Sequence, residues 1–334
     1  MKSHAGPRNL ITDVAGLKVG NAQDDQLKSG VTVLIPDKPA VAAVQVLGGA
    51  PGTRETDAMA PHNTVQEFHG LVLSGGSAFG LDAASGAQAA MREQGIGIEV
   101  AGHRVPVVPA AILFDLANGG NKDWGLYPPY REMGYQAARS VGLDFGLGSV
   151  GAGTGALTAG LKGGLGSAST VLPNGVTVGA LVAANPLGSV TMGDTHHFWA
   201  SPFELEDEFG GHGLPSPVPA DAAQIRYKYH ALNAATTIGV IATDAVLTKA
   251  ETKRLAVAAH DGFVRSIWPA HTPGDGDLVF GMATGAKEIV PDFPMMMDLA
   301  AVAASTMARA IARAVYFATP AKDDVFPTWS QRFG

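Results

Sequence analysis

Six short apolar runs rich in β-branched residues, Val31 to Ile35, Val41 to Val46, Leu71 to Leu73, Val176 to Ala183, Ile238 to Thr243 and Leu278 to Ala283, are spread over the whole chain. Runs of this length, bounded by turn residues, suit strands rather than helices. Helical patterns lie between some of them. Phe79 to Gln94 is Ala-rich and ends at Gly95, a residue suited to a helix C-cap. Thr248 and Glu251 have capping-box spacing, and Leu255, Ala259 and Phe263 then recur along one helix face. Asp298 is the candidate cap of a last helix running to about Phe317. Strands and helices interspersed in this way predict an α/β or α+β fold. No internal repeat at solenoid periods is evident.

With 334 residues the chain can bury a large core, and 46% hydrophobic against 16% charged residues fits a compact globular protein. The formal net charge of -7, without a Lys/Arg-rich run, excludes the electrostatic footprint of a nucleic-acid binder. Small molecules or other proteins are the expected partners. The absence of cysteine excludes disulfides, thiolate metal sites and a cysteine nucleophile. The amino terminus MKSHAGPRNLITDV lacks the apolar core of a signal peptide, and no run of about 18 apolar residues offers a membrane span. A soluble cytoplasmic protein is expected. The 43 glycines imply many tight turns or backbone that lines a site.

Several familiar motifs are approached and missed. Gly146 to Gly151 matches G-x-G-x-x-G, but the glycines that follow it are not the helix a dinucleotide site requires. Gly155 to Lys162 nearly spells a phosphate loop, yet Leu161 intervenes and Gly163 replaces the hydroxyl residue that would hold magnesium. Lys162 is left in a glycine-rich apolar setting, where it is either a surface lysine or an amine facing a reacting group. Ser77 follows a strand-like run but lacks the G-x-S-x-G elbow, so it shapes a pocket or caps a helix. His196, His197 and His212 lack metal-ligand spacing, and Asp275-Gly-Asp277 lacks the other ligands of a calcium loop, so no metal site is predicted. Two carboxylates two residues apart before a strand point the same way and can orient an amine. Asn185 follows an apolar run, where its amide either shapes a turn or donates to a developing oxyanion.

Residues 194 to 233 contain ELEDE, paired glycines and Pro202, Pro215, Pro217 and Pro219, the composition of a loop. Just beyond it, Thr236 and Thr237 open an apolar run. Threonine suits a strand end for its β-branching alone. The alternative is that the chain is cut before Thr236, so that a new amino terminus sits beside a hydroxyl.

ITDVAGLKVGNA (11–22), LGGAPGTRETD (47–57), SGGSAFGLDAASG (74–86), VPVVPAAILFDL (105–116), GAGTGA (151–156), ANPLG (184–188), ATTIGVIATDA (235–245) and GDGDLVF (274–280) occur in one order across nearly the whole chain. Together they resemble peptidase family S58, the self-processing aminopeptidases and amidases that include the DmpA-type L-aminopeptidase/D-esterases, the β-peptidyl aminopeptidases and the 6-aminohexanoate-oligomer hydrolases. The resemblance implies a four-layer αββα sandwich, also shared with ornithine acetyltransferases, in a single self-processing domain. It implies cleavage between Ala235 and Thr236, leaving residues 1–235 as an α subunit and 236–334 as a β subunit, assembled as a homotetramer of αβ units. Thr236 would be the nucleophile, Lys162 a lysine near it, Asn185 the oxyanion asparagine, and Asp275 and Asp277 the acidic pair that positions the nucleophile and the new amine. Ser77, Phe114 and Asp115 are the substrate-contact candidates, Asp115 for a substrate amine or else structural. Phe114 stands where some relatives carry Tyr, and Ala235 where close relatives carry Asn or Gly.

An amino-terminal threonine carries its own base, because a free α-amine is partly neutral near pH 8 and adjacent to Oγ. The expected activity is hydrolysis of a small peptide, amide or ester, with no cofactor and with neither nucleic acid nor membrane as partner. The alternatives are acyl or aminoacyl transfer on the same fold, or a silent binding protein.

Overall fold

The structure, a computed structural model, describes residues 2–228 and 235–334. Residues 229–233, the end of the loop read from composition, lie outside the described residues. Among the described residues two large sheets stack face to face. One has the order β1 (Leu17–Asp24), β2 (Ser29–Pro36), β6 (Leu71–Ser74), β9 (Ala110–Ile112) and β4 (Thr53–Arg54). The other has the order β10 (Gly164–Val171), β11 (Thr177–Ala184), β12 (Ile238–Thr243), β13 (Leu278–Ala283), β3 (Ala40–Val46) and β5 (Glu67–Phe68). A hairpin, β7 (Ile98–Val100) with β8 (His103–Val105), stands apart.

Helices α1 (Ala83–Glu93) and α2 (Tyr130–Arg139) pack together on the five-stranded sheet, while α3 (Lys249–Val264) and α4 (Phe293–Tyr316) pack together on the six-stranded one. A short α5 (Trp329–Phe333) closes the chain, with Trp329 stacked on Phe198. The result is the four-layer αββα sandwich.

Three apolar layers hold it together. Ile238, Val240 and Ala242 of β12 and Leu278, Phe280 and Met282 of β13 face Leu34, Leu71 and Leu73 of the opposite sheet. The intervening Ile241 and Val279 face the helices, with Leu255, Ala259 and Met307. Val31, Val33 and Ile35 turn outward to Ala84, Ala87 and Met91 of α1. A strand buried on both faces reads as a continuous apolar run, which is why these segments are legible without alternation. Each fully buried large apolar side chain contributes roughly 1.5–3 kcal/mol.

The six predicted strands fall within or across β2, β3, β6, β11, β12 and β13. Thr248 forms the predicted capping box, accepting from Glu251 N. The last helix departs from expectation: it begins at Phe293, where the Asp292 side chain accepts the Met295 N–H at 2.9 Å. Pro294 in its first turn needs no hydrogen-bond partner there. This 24-residue helix, with a best 18-residue stretch of mean hydropathy 1.3, is long and apolar enough to cross a membrane by length and composition alone, contrary to the expectation from the sequence. Here its apolar side lies on β10 and β11, and it carries the buried Arg309 and Arg313.

Candidate active site

The site grows from the one parallel ladder of the six-stranded sheet that adjoins a loop. β12 and β13 pair in parallel, with α3 as the crossover, and the pairing continues backwards: Ala235 bridges Asp275, and Leu278 N donates to Thr237 O at 3.3 Å. The segment Ala235-Thr236-Thr237 therefore runs beside Asp275-Gly276-Asp277. On its other side is the end of β11, where Asn185 O accepts the Thr236 N–H at 3.1 Å.

This arrangement concentrates hydrogen bonds on one peptide carbonyl. Ala235 O accepts the Gly276 N–H at 2.9 Å and the Thr236 hydroxyl at 2.6 Å. Both residues of that peptide are buried, Ala235 at 1% and Thr236 at 3% exposure. Position 276 must be glycine, because a Cβ there would lie 2.6 Å from Thr236 Oγ1 and 2.7 Å from Ala50 O. The neighbouring Thr237 hydroxyl is buried without a hydrogen-bond partner among the described residues.

The two carboxylates are held differently. Asp277 Oδ1 accepts the Thr237 N–H at 2.8 Å, and its Oδ2 accepts from the backbone and ring of His271. Asp275 spans the Thr272 N–H and hydroxyl and the Leu187 N–H. Burial, and then the charge of Asp277, push the Asp275 carboxyl above its ordinary range.

Asn185 is a junction. Its Oδ1 accepts the Leu157 N–H at 2.9 Å and the Lys228 ammonium at 2.8 Å, while its Nδ2 donates to Phe114 O at 2.9 Å. Lys228 Nζ also donates to Leu157 O and Asn185 O, each at 3.0 Å. Thr236 N and Lys228 Nζ thus share the Asn185 carbonyl. Burial lowers the Lys228 pKa to about 7, against the opposing pull of Asp275, Asp115 and Asp277.

The predicted residues are distributed accordingly. Asn185, Asp275, Asp277, Ala235 and Thr236 converge. Lys162 is placed otherwise: its backbone belongs to the loop that carries Leu157, but its ammonium pairs with Asp324 at 2.9 Å, and Lys28 holds the other oxygen of that carboxylate. The lysine at Asn185 is Lys228, from the stretch whose composition marks it only as a loop. The Asn185 amide, in turn, donates to Phe114 O, and it is the Gly276 N–H that meets the Ala235 carbonyl.

Asp115 is 2% exposed, and both its oxygens are engaged, Oδ2 by the Ser29 hydroxyl at 2.6 Å and Oδ1 by the Gly76 N–H at 2.7 Å. Burial raises its pKa, with Lys122 opposing. Its visible task is to fix the turn at Gly76 and Ser77, whose N–H donates to Leu113 O. Phe114 contributes its backbone carbonyl. Among the described residues no group of His, Asp or Glu side chains is arranged to hold a metal ion.

Residues 9–324 match the model of peptidase family S58. An uncharacterized aminopeptidase of Mycobacterium tuberculosis is 41% identical over 345 aligned positions, covering 97% of this chain and 98% of that protein. A 6-aminohexanoate-oligomer endohydrolase of Kocuria sp. is 27% identical, covering 84% of this chain and 76% of its own. Among solved structures, a Burkholderia sp. beta-aminopeptidase superimposes with a TM-score of 0.71 at 24% identity, over 96% of this chain and 90% of that one. The L-aminopeptidase D-Ala-esterase/amidase of Ochrobactrum anthropi, a variant of the Ntn-hydrolase fold, gives 0.68 at 22%, over 98% and 91%. The chain therefore belongs to peptidase family S58 and is a hydrolase of peptide or amide bonds.

Proposed function

We propose that the chain cleaves itself between Ala235 and Thr236 and then works as an aminopeptidase or amidase, with the freed Thr236 as nucleophile. The observation that carries this reading is the Ala235 carbonyl, gripped by the Gly276 N–H while the Thr236 hydroxyl lies against it. In the self-cleavage step the hydroxyl oxygen bonds to the Ala235 carbonyl carbon as the carbon–nitrogen bond breaks, and the hydroxyl proton passes to the nitrogen. Water then hydrolyses the ester, leaving an Ala235 carboxylate and a free Thr236 amine. The Gly276 N–H stabilises the oxyanion, a contribution of the kind whose loss costs 10²–10³ in rate. In later turnovers the new amine serves as base for its own hydroxyl. Substrates are small peptides, linear amides or esters, in keeping with the names of the relatives.

Denaturing electrophoresis and amino-terminal sequencing of active protein test the reading. The expected result is two pieces, one beginning Thr-Thr-Ile. A fully active, uncut chain overturns it.

Two residues, Gly276 and Lys228, carry measurable consequences. Gly276→Ala slows self-cleavage at least about 100-fold, because the added methyl displaces either the hydroxyl or the donor. Time courses from freshly synthesised precursor measure it.

The second concerns Lys228. A lysine with a folded pKa near 7 and an unfolded one near 10.4 binds fewer protons in the folded state between those values. Its contribution to stability therefore rises as pH increases from about 7 to about 10. Chemical denaturation of a chain kept uncut by Thr236→Ala shows this slope, and adding Lys228→Met flattens it.

A further inference from the structure

Behind Asp277 runs a chain of ring contacts that the cleavage chemistry above does not use. His271 Nδ1 lies 2.9 Å from Asp277 Oδ2, His271 Nε2 lies 3.3 Å from His260 Nδ1, and His260 Nε2 lies 3.0 Å from Gln45 O. A carbonyl oxygen only accepts, so the far end of this chain fixes the near end. The Gln45 contact puts a proton on His260 Nε2. The neutral His260 ring then accepts at Nδ1, and His271 Nε2 must donate to it.

His271 Nδ1 faces an oxygen that already accepts the His271 backbone N–H at 3.1 Å, on a carboxylate whose other oxygen accepts from Thr237. Two backbone N–H groups, of Thr237 and His271, already donate to Asp277, an arrangement that favours the ionised carboxylate, and an ionised carboxylate only accepts. Both His271 nitrogens therefore carry protons.

We propose that His271 is an imidazolium and a positioning residue: it is the fixed counter-charge that keeps Asp277 ionised and thereby aims the Thr236–Thr237 segment.

The surroundings agree. His260, the next ring in this series of contacts, is pushed by burial to a pKa of about 4 and stays neutral. The Phe263 ring lies stacked on His271 with centroids 5.4 Å apart, a face that favours a cation. The backbone of His271 is left-handed, at φ +55°, and this lets its N–H and its ring reach the same oxygen. The charged groups nearby are Asp275 and Asp277 from the adjoining turn, Asp261 from α3, and Lys228, which senses both site carboxylates. Without His271, two buried carboxylates one glycine apart would compete for ionisation, while the Lys228 amine, of lowered pKa, is spent on Leu157 and Asn185.

The role served by this pair rests on the proposed self-cleavage, but its charge state does not, and the two are tested apart. Histidine ring nitrogen-15 spectra of the Thr236→Ala chain, with His271 assigned from its loss in His271→Asn, should show two protonated ring nitrogens at pH 7. One unprotonated ring nitrogen on His271 overturns the inference even if wild-type protein cleaves normally. Asparagine keeps a donor near Nδ1 but carries no charge. The pH profile of self-cleavage in His271→Asn should therefore fall at least tenfold near neutrality and shift its acid limb upward, whereas packing loss alone slows all pH values equally. A uniformly slowed or unchanged profile rejects the positioning role.

Discussion

Thr236→Ala yields a single uncut chain whose hydrolysis is lower than that of the wild type by roughly 10⁴-fold or more, a loss of the size seen when a nucleophile is removed from a hydrolytic site. The size of the effect follows from two losses at once. The methyl of alanine cannot bond to the Ala235 carbonyl, so the new amine is never formed, and the mature site would in any case have no oxygen to attack a substrate. Thr237→Ala is the natural contrast. Its hydroxyl has no partner among the described residues, while its N–H is what Asp277 holds. That variant keeps its N–H, is still cut, and retains most of its activity. Electrophoresis with a panel of amide and ester substrates measures both variants, and a cut, active Thr236→Ala removes Thr236 from the chemistry.

The second large effect lies far from the site. Arg309 is among the largest fully buried side chains. Its guanidinium pairs with Glu208 and also donates to Ser169 O at 2.9 Å, Thr170 Oγ1 at 2.8 Å and Asn9 Oδ1 at 2.9 Å. It ties α4 to β10, to the amino-terminal segment and to the loop that carries Glu208. Arg309→Ala leaves a buried carboxylate short of its main partner and should destabilise the fold by about 3–5 kcal/mol. Arg313, at 3.6 Å from Glu208, only partly compensates. Arg309→Met combined with Glu208→Gln should recover much of the loss, because the isolated buried charge is then gone. Equilibrium denaturation of the wild type, Arg309→Met, Glu208→Gln and the double variant measures the coupling, with Arg309→Ala alongside. An Arg309→Ala loss below about 1 kcal/mol would mean that the pair is dispensable.

How much was legible in the sequence depended on whether a segment carries its own signal. β12 and β13 were bounded correctly from their apolar content alone. β1, LKVGNAQD, and β10, GLGSASTV, went unseen because small and polar residues form them, and their place comes from pairing with β2 and β11. α2 went unseen for a related reason, since YREMGYQAAR reaches its apolar stripe through glycine and alanine. At the site, Asn185, Asp275 and Asp277 stood in motifs and could be named. Lys228 and His271 could not. The partners of Lys228, Leu157 and Asn185, are remote in sequence, whereas His271 meets His260 and Asp277, 11 and 6 positions away, across a helix end and a turn whose spacing matches no familiar motif. The placing of the Lys162 ammonium is hidden for the mirror reason, because Asp324, which captures it, comes 162 positions later.

The interleaving of the six-stranded sheet bears on timing. β12 and β13, from the last third of the chain, sit between β11 and β3, both from the part that precedes the proposed break. The donor on the Ala235 carbonyl, Gly276, belongs to that same late portion. The proposed scission would therefore wait until synthesis and folding are essentially complete, and the two polypeptides it leaves would remain woven through a common sheet. Once denatured, they would have to find each other as strangers, so maturation by this proposed route would run in one direction.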